Sequence, residues 1–338
     1  MHLAGIKVRE GCRADALPVD ELVEAGEPVV LKGIASHWGL VQAGKRTAAD
    51  AMSYLAGFYN GRPVQYSRGG AEIAGRPFYN DDFTGLNFEV RRGGLGDVLG
   101  EIAAHLDDAQ PPMVYAASLL VDGSLPGFRA ENDLDLGRYA IHAPPSIWIG
   151  NRVVASCHYD APNNLACCVV GRRRFTLFPP DQIANLYPGP LEPTPGGQAV
   201  SVVDFSQPDF ARYPLFREAL DHAQCAVLEP GDAIFIPSMW WHHVQGLEAF
   251  NVLVNYWWSS CPAYVPTPMH ALYHAIWAIR DRPEREKQAW REVFEYYAFG
   301  PAERAGEHLP AQARGVLGEI DDARARQVRA MLMAKLNN

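Results

Sequence analysis

The sequence predicts a mainly β fold, a sandwich or barrel, with an α/β elaboration before it and helices after it. Two observations carry this expectation. From residue 112 the chain breaks into short apolar or alternating runs, "PMVYAASLL", "SIWIGNRVVASCHYD", "NLACCVV", "RRFTLFPP", "CAVLEPGDAIFIP" and "FNVLVNYWW", separated by Gly, Pro and Asn. Many short strands between turn residues favour a sandwich or barrel. After Pro262 the apolar spacing changes to that of amphipathic helices. The chain is therefore expected to divide into a β domain over 1–262 and a helical region over 263–338.

The elements follow in order. "DELVEAG" predicts a short helix stopped by Gly26, and "EPVVLKGI" a strand. "TAADAMSYLAGF" predicts a helix with Thr47 as N-cap, because its hydroxyl can take a free N–H of the first turn. "GLGDVLGEIAAHL" (94–106) reads as another amphipathic helix. A Pro-rich connection over 181–222 is long for a β domain, and such segments tend to serve function. Beyond the barrel, Thr267 and Pro268 suit a helix start, and Met269, Leu272, Tyr273 and Ile276 form its stripe. Trp290, Val293, Phe294 and Tyr297 form a second stripe ending at Gly300, and "ARARQVRAMLMAKL" gives a last helix.

Composition bounds the function. The 338 residues, 48% hydrophobic with eight Trp, can build one large domain or two ordinary ones and exclude a disordered chain. A net charge of −9 disfavours binding driven by phosphate neutralisation, so nucleic acid is a poor partner. The densest basic cluster is Arg172, Arg173 and Arg174. Six scattered cysteines read as reduced thiols of a cytoplasmic protein. Neither a leader peptide nor an apolar run of the roughly 20 residues needed to span a bilayer is expected.

The chemistry concentrates in "SCHYDAPNN". On a strand His158 and Asp160 share one face, which makes them either a buried ion pair or two thirds of a metal site. The segment "LEPGDAIFIPSMWWHHVQGL" then brings His242 and His243 after a strand. A jelly-roll can set sequence-distant strands face to face, so one of these histidines can join the pair. Two histidines and a carboxylate make the ligand set of non-haem Fe(II) oxygenases, which leaves coordination positions open.

Taken together, "HYD", "NLACCVVGRRRFTLFPPDQ", "LYPGPLEP", "VDFSQPDFARYP", "PGDAIFIPSMWWHHV", "NVLVNYWW" and "EPVVLKGIASHW" resemble the JmjC-type, cupin-8 branch of the 2-oxoglutarate oxygenases. The likeness, which extends to the asparaginyl hydroxylases of that branch, runs over roughly residues 25–260. The resemblance implies a double-stranded β-helix (jelly-roll) and Fe(II) held by His158, Asp160 and His242. It implies 2-oxoglutarate as co-substrate with O₂, the products including succinate and CO₂. Arg173 stands where the family has a lysine that anchors the distal carboxylate; Tyr115, Asn164, Asn255 and Trp257 match other pocket residues. His243 is expected to point away, and Arg172 and Arg174 to face outwards.

The chain also departs from the family pattern. Arginine replaces lysine at 173, Ala155 replaces a pocket threonine, and Ala117 replaces a substrate-holding glutamine. The expected reaction is hydroxylation of a C–H bond, with a protein or peptide side chain favoured over a small molecule. The competing readings are a metal-dependent cupin enzyme that does not use 2-oxoglutarate, a JmjC-type demethylase, and a non-catalytic binding module. The resemblance further implies a homodimer formed through the C-terminal helices.

Overall fold

A computed structural model describes residues 3–337. The chain opens with two short strands that no sequence pattern announced, β1 (Ala4–Gly5) and β2 (Lys7–Arg9). Helix α1 (Val19–Ala25) stops where Gly26 takes a left-handed φ of 61°, and β3 (Val29–Leu31) follows. Next come α2 (Gly39–Arg46) and α3 (Ala48–Phe58). Thr47 caps α3 as expected, its hydroxyl accepting from Asp50 N at 3.0 Å. Strands β4 (Val64–Gly69) and β5 (Glu89–Gly93) and helix α4 (Leu95–Ala103) complete the elaboration.

The β region proper runs through β6 (Met113–Leu120), the single turn α5 (Val121–Ser124), β7 (Ser146–Gly150), β8 (Val154–Tyr159), β9 (Asn163–Val170) and β10 (Arg173–Phe178). After the Pro-rich connection and α6 (Phe216–Asp221) come β11 (Gln224–Leu228), β12 (Ala233–Ile236), β13 (Trp241–Gly246) and β14 (Asn251–Trp258). The run expected as one strand over 146–160 is two, because a turn intervenes at Asn151, where Val153 N bonds Asn151 O at 2.8 Å.

Among the described residues the strands form two sheets, ordered β1-β11-β10-β13-β8 and β2-β3-β12-β9-β14-β7-β6-β4-β5. They make a jelly-roll, or double-stranded β-helix. Phe175, Leu177 and Val244 of the first sheet pack against Ala166, Cys168, Ile234, Ile236 and Leu253 of the second. The outer face of the larger sheet, with Cys167, Val169, Phe235, Val252 and Val254, is covered by Trp38, Leu40, Leu55, Leu95 and Val98. The outer face of the smaller sheet is covered by Leu186, Val203, Phe216 and Ala219. Strand β9 is buried throughout, which is why it reads as an unbroken apolar run from Leu165 to Val170.

The chain partitions into two compact units, Met1–Ser260 and Cys261–Asn338. The second carries α7 (Met269–Ile279), α8 (Glu284–Phe294) and α9 (Asp322–Leu336). Helix α8 continues as a π-helical turn over Glu295–Phe299 and closes at Gly300, whose N–H bonds Glu295 O at 2.8 Å.

Asp232 ties the turn before β12 to the end of β3. Its carboxylate accepts from Lys32 Nζ at 2.5 Å, Gly33 N at 2.9 Å and Glu229 N at 3.0 Å. Asp232→Ala leaves two backbone N–H groups without their acceptor. It should lower stability by about 3 kcal/mol, read as a shift in the denaturant midpoint; no shift would show that β3 is held by its apolar face alone.

Candidate metal centre

Three candidate ligands converge because β8 and β13 are antiparallel neighbours with His158 directly opposite His242. The imidazole centroids are 4.3 Å apart, and His242 Nε2 lies 3.6 Å from Asp160 Oδ2. One ligand atom from each of His158, Asp160 and His242 falls within 4.8 Å of the others. Asp160 is just past the end of β8, and its carbonyl is fixed by Met239 N at 2.8 Å.

The register carries an irregularity that matters. Between His242 and Val244 on β13, β8 spends one residue more, passing from His158 to Ala155. A bulge of this kind re-aims side chains. Ala155 packs inside the barrel, Cys157 joins the outer cluster, and Ser156 meets Arg76. His158 still points inwards.

Each ligand histidine is oriented by its own strand. His158 Nδ1 is 2.8 Å from Ser156 O, and His242 Nδ1 is 3.0 Å from Trp240 O. A carbonyl only accepts, so Nδ1 carries a proton in each ring, and Nε2 is the nitrogen left to face a metal. Burial, with His158 alongside, pushes His242 down to about 4, against the pull of Asp160, so the ring is neutral at physiological pH. His243 points the other way, stacked on Phe205 at 4.6 Å.

A second group of polar residues lines the same barrel. Arg173 is buried and projects inwards with Phe175 and Leu177, whereas Arg172 pairs with Glu248 and Arg174 with Gln245 at the exposed surface. Arg173 Nε has no partner among the described residues. Burial pushes the Tyr115 hydroxyl up to about 12, with Arg173 beside it pulling the other way, so Tyr115 stays protonated and can donate. Asn255 Nδ2 donates to Asn164 Oδ1 at 3.1 Å. Trp257 Nε1 is buried and unpartnered among the described residues.

Trp148 went unnoticed in the sequence. It donates Nε1–H to Asn255 Oδ1 at 2.7 Å and stands between Tyr115 and Trp257, with ring centroids 5.9 and 5.6 Å away. The signal was available: Ile147 and Ile149 are fully buried in the outer core, so Trp148 must alternate into the barrel. Asn163 was also missed; it accepts from Ser238 N at 3.1 Å and so steadies the approach to β13. A separate cleft of about 440 Å³, bounded by His37, Gly39, Arg129, Glu131 and Asp133, shares no residue with the triad.

The matches to known proteins agree with this architecture. The cupin-like domain (cupin-8) family matches residues 14–264. The chain belongs to that cupin-8, JmjC-like family. It is 40% identical over 108 residues to lysine-specific demethylase JMJ31 of Arabidopsis thaliana, spanning 31% of this chain and 19% of the relative. It is 41% identical over 106 residues to tRNA wybutosine-synthesizing protein 5 of Gallus gallus, spanning 31% and 30%. A longer match, 29% over 242 residues, joins it to Jumonji C domain-containing protein 5 of Drosophila melanogaster, spanning 70% and 55%. The matched segments thus cover a minority of the first two relatives and about half of the third.

The site makes a direct prediction. One equivalent of a divalent ion, read by the loss of the free Mn(II) EPR signal, should bind the chain and fail to bind His242→Ala. His243→Ala should bind normally. The reverse pattern would move the third ligand to His243.

Proposed function

We propose that the chain is an Fe(II)- and 2-oxoglutarate-dependent dioxygenase that hydroxylates a C–H bond of a protein or peptide side chain. The observation that carries this reading is one barrel lined by both a two-histidine, one-carboxylate ligand set and a buried guanidinium lacking an anion. The donor set suits Fe(II) and leaves positions open for exogenous ligands. The free Nε donor of Arg173 and the Tyr115 hydroxyl suit a carboxylate at depth. When bound, ferrous iron with 2-oxoglutarate and O₂ supplies the oxidising power for hydroxylation.

The chain's own residues then have distinct tasks. His158, Asp160 and His242 would hold the ion. Arg173 and Tyr115 would take the distal carboxylate, the arginine as a two-pronged donor where a lysine offers a point charge. Asn164 and Asn255 fix each other's amides beside it, and Trp148 and Trp257 wall the pocket against water. A cupin enzyme working through its metal alone has no use for a cation buried at that depth. Demethylation is the second reading, supported by the likeness to a protein named lysine-specific demethylase; it places the same oxidative step on an N-methyl group.

The Pro-rich segment over 185–215 is the proposed substrate wall. Tyr79 holds it in place, its hydroxyl donating to Pro190 O at 3.0 Å and accepting from Val200 N at 3.4 Å. Gly189 is needed there because a Cβ would lie 2.8 Å from the Tyr79 ring. The net charge of −9 sets nucleic acid below protein as a substrate. Cys12, Cys157, Cys167, Cys168 and Cys225 stand as free thiols, which suits a cytoplasmic setting. Among the described residues no helix is long and apolar enough to cross a membrane.

A homodimer through the C-terminal helices is the proposed assembly. None of α7, α8 and α9 contains a buried residue, and Trp277 and Phe299 are each 75% exposed. Apolar surface of this kind invites a partner. Light scattering should give twice the chain mass at micromolar concentration, and Trp277→Glu should give the monomer; a monomeric parent protein would end the idea.

Function is tested without knowing the substrate. Anaerobic Fe(II) with 2-oxoglutarate should give a visible charge-transfer band. Arg173→Ala should keep the metal and weaken 2-oxoglutarate on the order of 100-fold. Metal binding without such a band would make the metal-only cupin the better reading. Once a substrate is found, a product gaining one oxygen without formaldehyde release separates hydroxylation from demethylation.

A further inference from the structure

Arg76 lies outside the ligand set and outside the co-substrate pocket, in the loop "AGRPFYN". Its guanidinium nevertheless joins three segments. Nε donates to Ser156 Oγ at 2.9 Å, Nη2 to Val203 O at 3.2 Å, and Nη1 is 3.8 Å from Asp204 Oδ2. The cation lies 3.8 Å above the ring of Phe78. Its side chain is only 19% exposed while Asp204 is 49% exposed, so the charge is withdrawn from water for a loose ion pair. Ion pairing alone does not account for that cost.

Ser156 supplies the missing reason. It occupies the bulge of β8, and its carbonyl orients the His158 ring at 2.8 Å. The same residue thus receives Arg76 through its hydroxyl and directs an iron-ligand imidazole through its carbonyl. The loop is brought close by Gly75, whose carbonyl accepts from Val154 N at 2.9 Å at the start of β8. Only glycine fits there, with a φ of 74° and a Cβ that would fall 2.1 Å from Arg152 O.

We propose that Arg76 is a positioning residue: it fixes the bulge of β8 through Ser156, and so sets the orientation of His158 towards the metal. The same guanidinium anchors Val203 and Asp204, at the end of the proposed substrate wall, to that point. This inference rests on the metal-site reading above. Outer partners of this sort commonly contribute tenfold or more to metal affinity.

The experiment is a Mn(II) titration by EPR, with Co(II) absorption as a second readout of ligand geometry. Arg76→Lys keeps the charge but loses the planar fork that reaches both Ser156 and Val203. It should weaken Mn(II) binding about tenfold and change the Co(II) band. Ser156→Ala, which removes only the hydroxyl acceptor, should do the same, and the double variant should be no worse than either single one. Arg174→Gln, at the exposed face of β10 two strands away from β8, should leave both readouts alone. A purely structural Arg76 would lower the melting temperature with Mn(II) affinity and the Co(II) band unchanged in both single variants, and that result overturns the proposal. Fully additive losses in the double variant overturn it too, whereas a parent chain that binds no Mn(II) at all overturns the metal site itself.

Discussion

Everything at the centre depends on one register, His158 on β8 set directly against His242 on β13. A slip of β8 by one residue would turn His158 out of the barrel and away from His242, because side chains alternate with period two. β8 is an edge strand of its sheet, with no neighbouring strand among the described residues on the far side to pin it. The chain supplies substitutes. Gly75 O takes the N–H of Val154, and Ser201 N reaches Cys157 O at 2.7 Å. The elaboration before the barrel and the Pro-rich segment after β10 therefore hold the strand that carries the ligands. Irregular segments that look like decoration in the sequence act here as the missing strand, and they also blunt an edge open to stray pairing.

The second constraint is electrostatic. Inside the barrel His242 is neutral, and Arg173 is buried with its Nε unpartnered among the described residues. An unpaired buried charge is costly unless something answers it. The cost is coherent under the proposed function, in which the barrel takes a divalent ion and a dicarboxylate and cation meets anion at both ends. It is hard to rationalise in a barrel that binds neither. Tyr115, kept protonated by burial, adds a donor but no charge at the same end.

Much of this was legible in the sequence. The turn-separated runs gave the strands, Thr47 and Gly26 marked helix ends where they occur, and three residues singled out through the family resemblance, His158, Asp160 and His242, are the ones that converge. What escaped has a common physical cause. β1 and β2 are two and three residues long, too short to show any period, and exist only because β11 and β3 offer them an edge. Arg76 belongs to no periodic pattern, and its partners lie about 80 and 127 positions away in the chain. Trp148 was hidden between two isoleucines that look like its equals until the sheet assigns them opposite faces.

That last case generalises. The chain repeatedly writes the same residue twice, and the two copies do different work. His242 faces the ligands while His243 stacks on Phe205. Arg173 enters the barrel and Arg174 stays outside with Gln245. Cys168 packs between the sheets and Cys167 beneath the helices; Trp258 packs there too, while Trp257 turns towards Trp148. Asn164 bonds Asn255 as Asn163 bonds Ser238 and Ser260. Composition and residue type cannot separate such twins, and even a motif names the pair before it names the member. Only register does, and the bulge at Ser156 shows how sensitive that is. One extra residue sends Ser156 to Arg76 and keeps His158 inwards, so the loop that anchors the bulge belongs to the site as much as the ligands do.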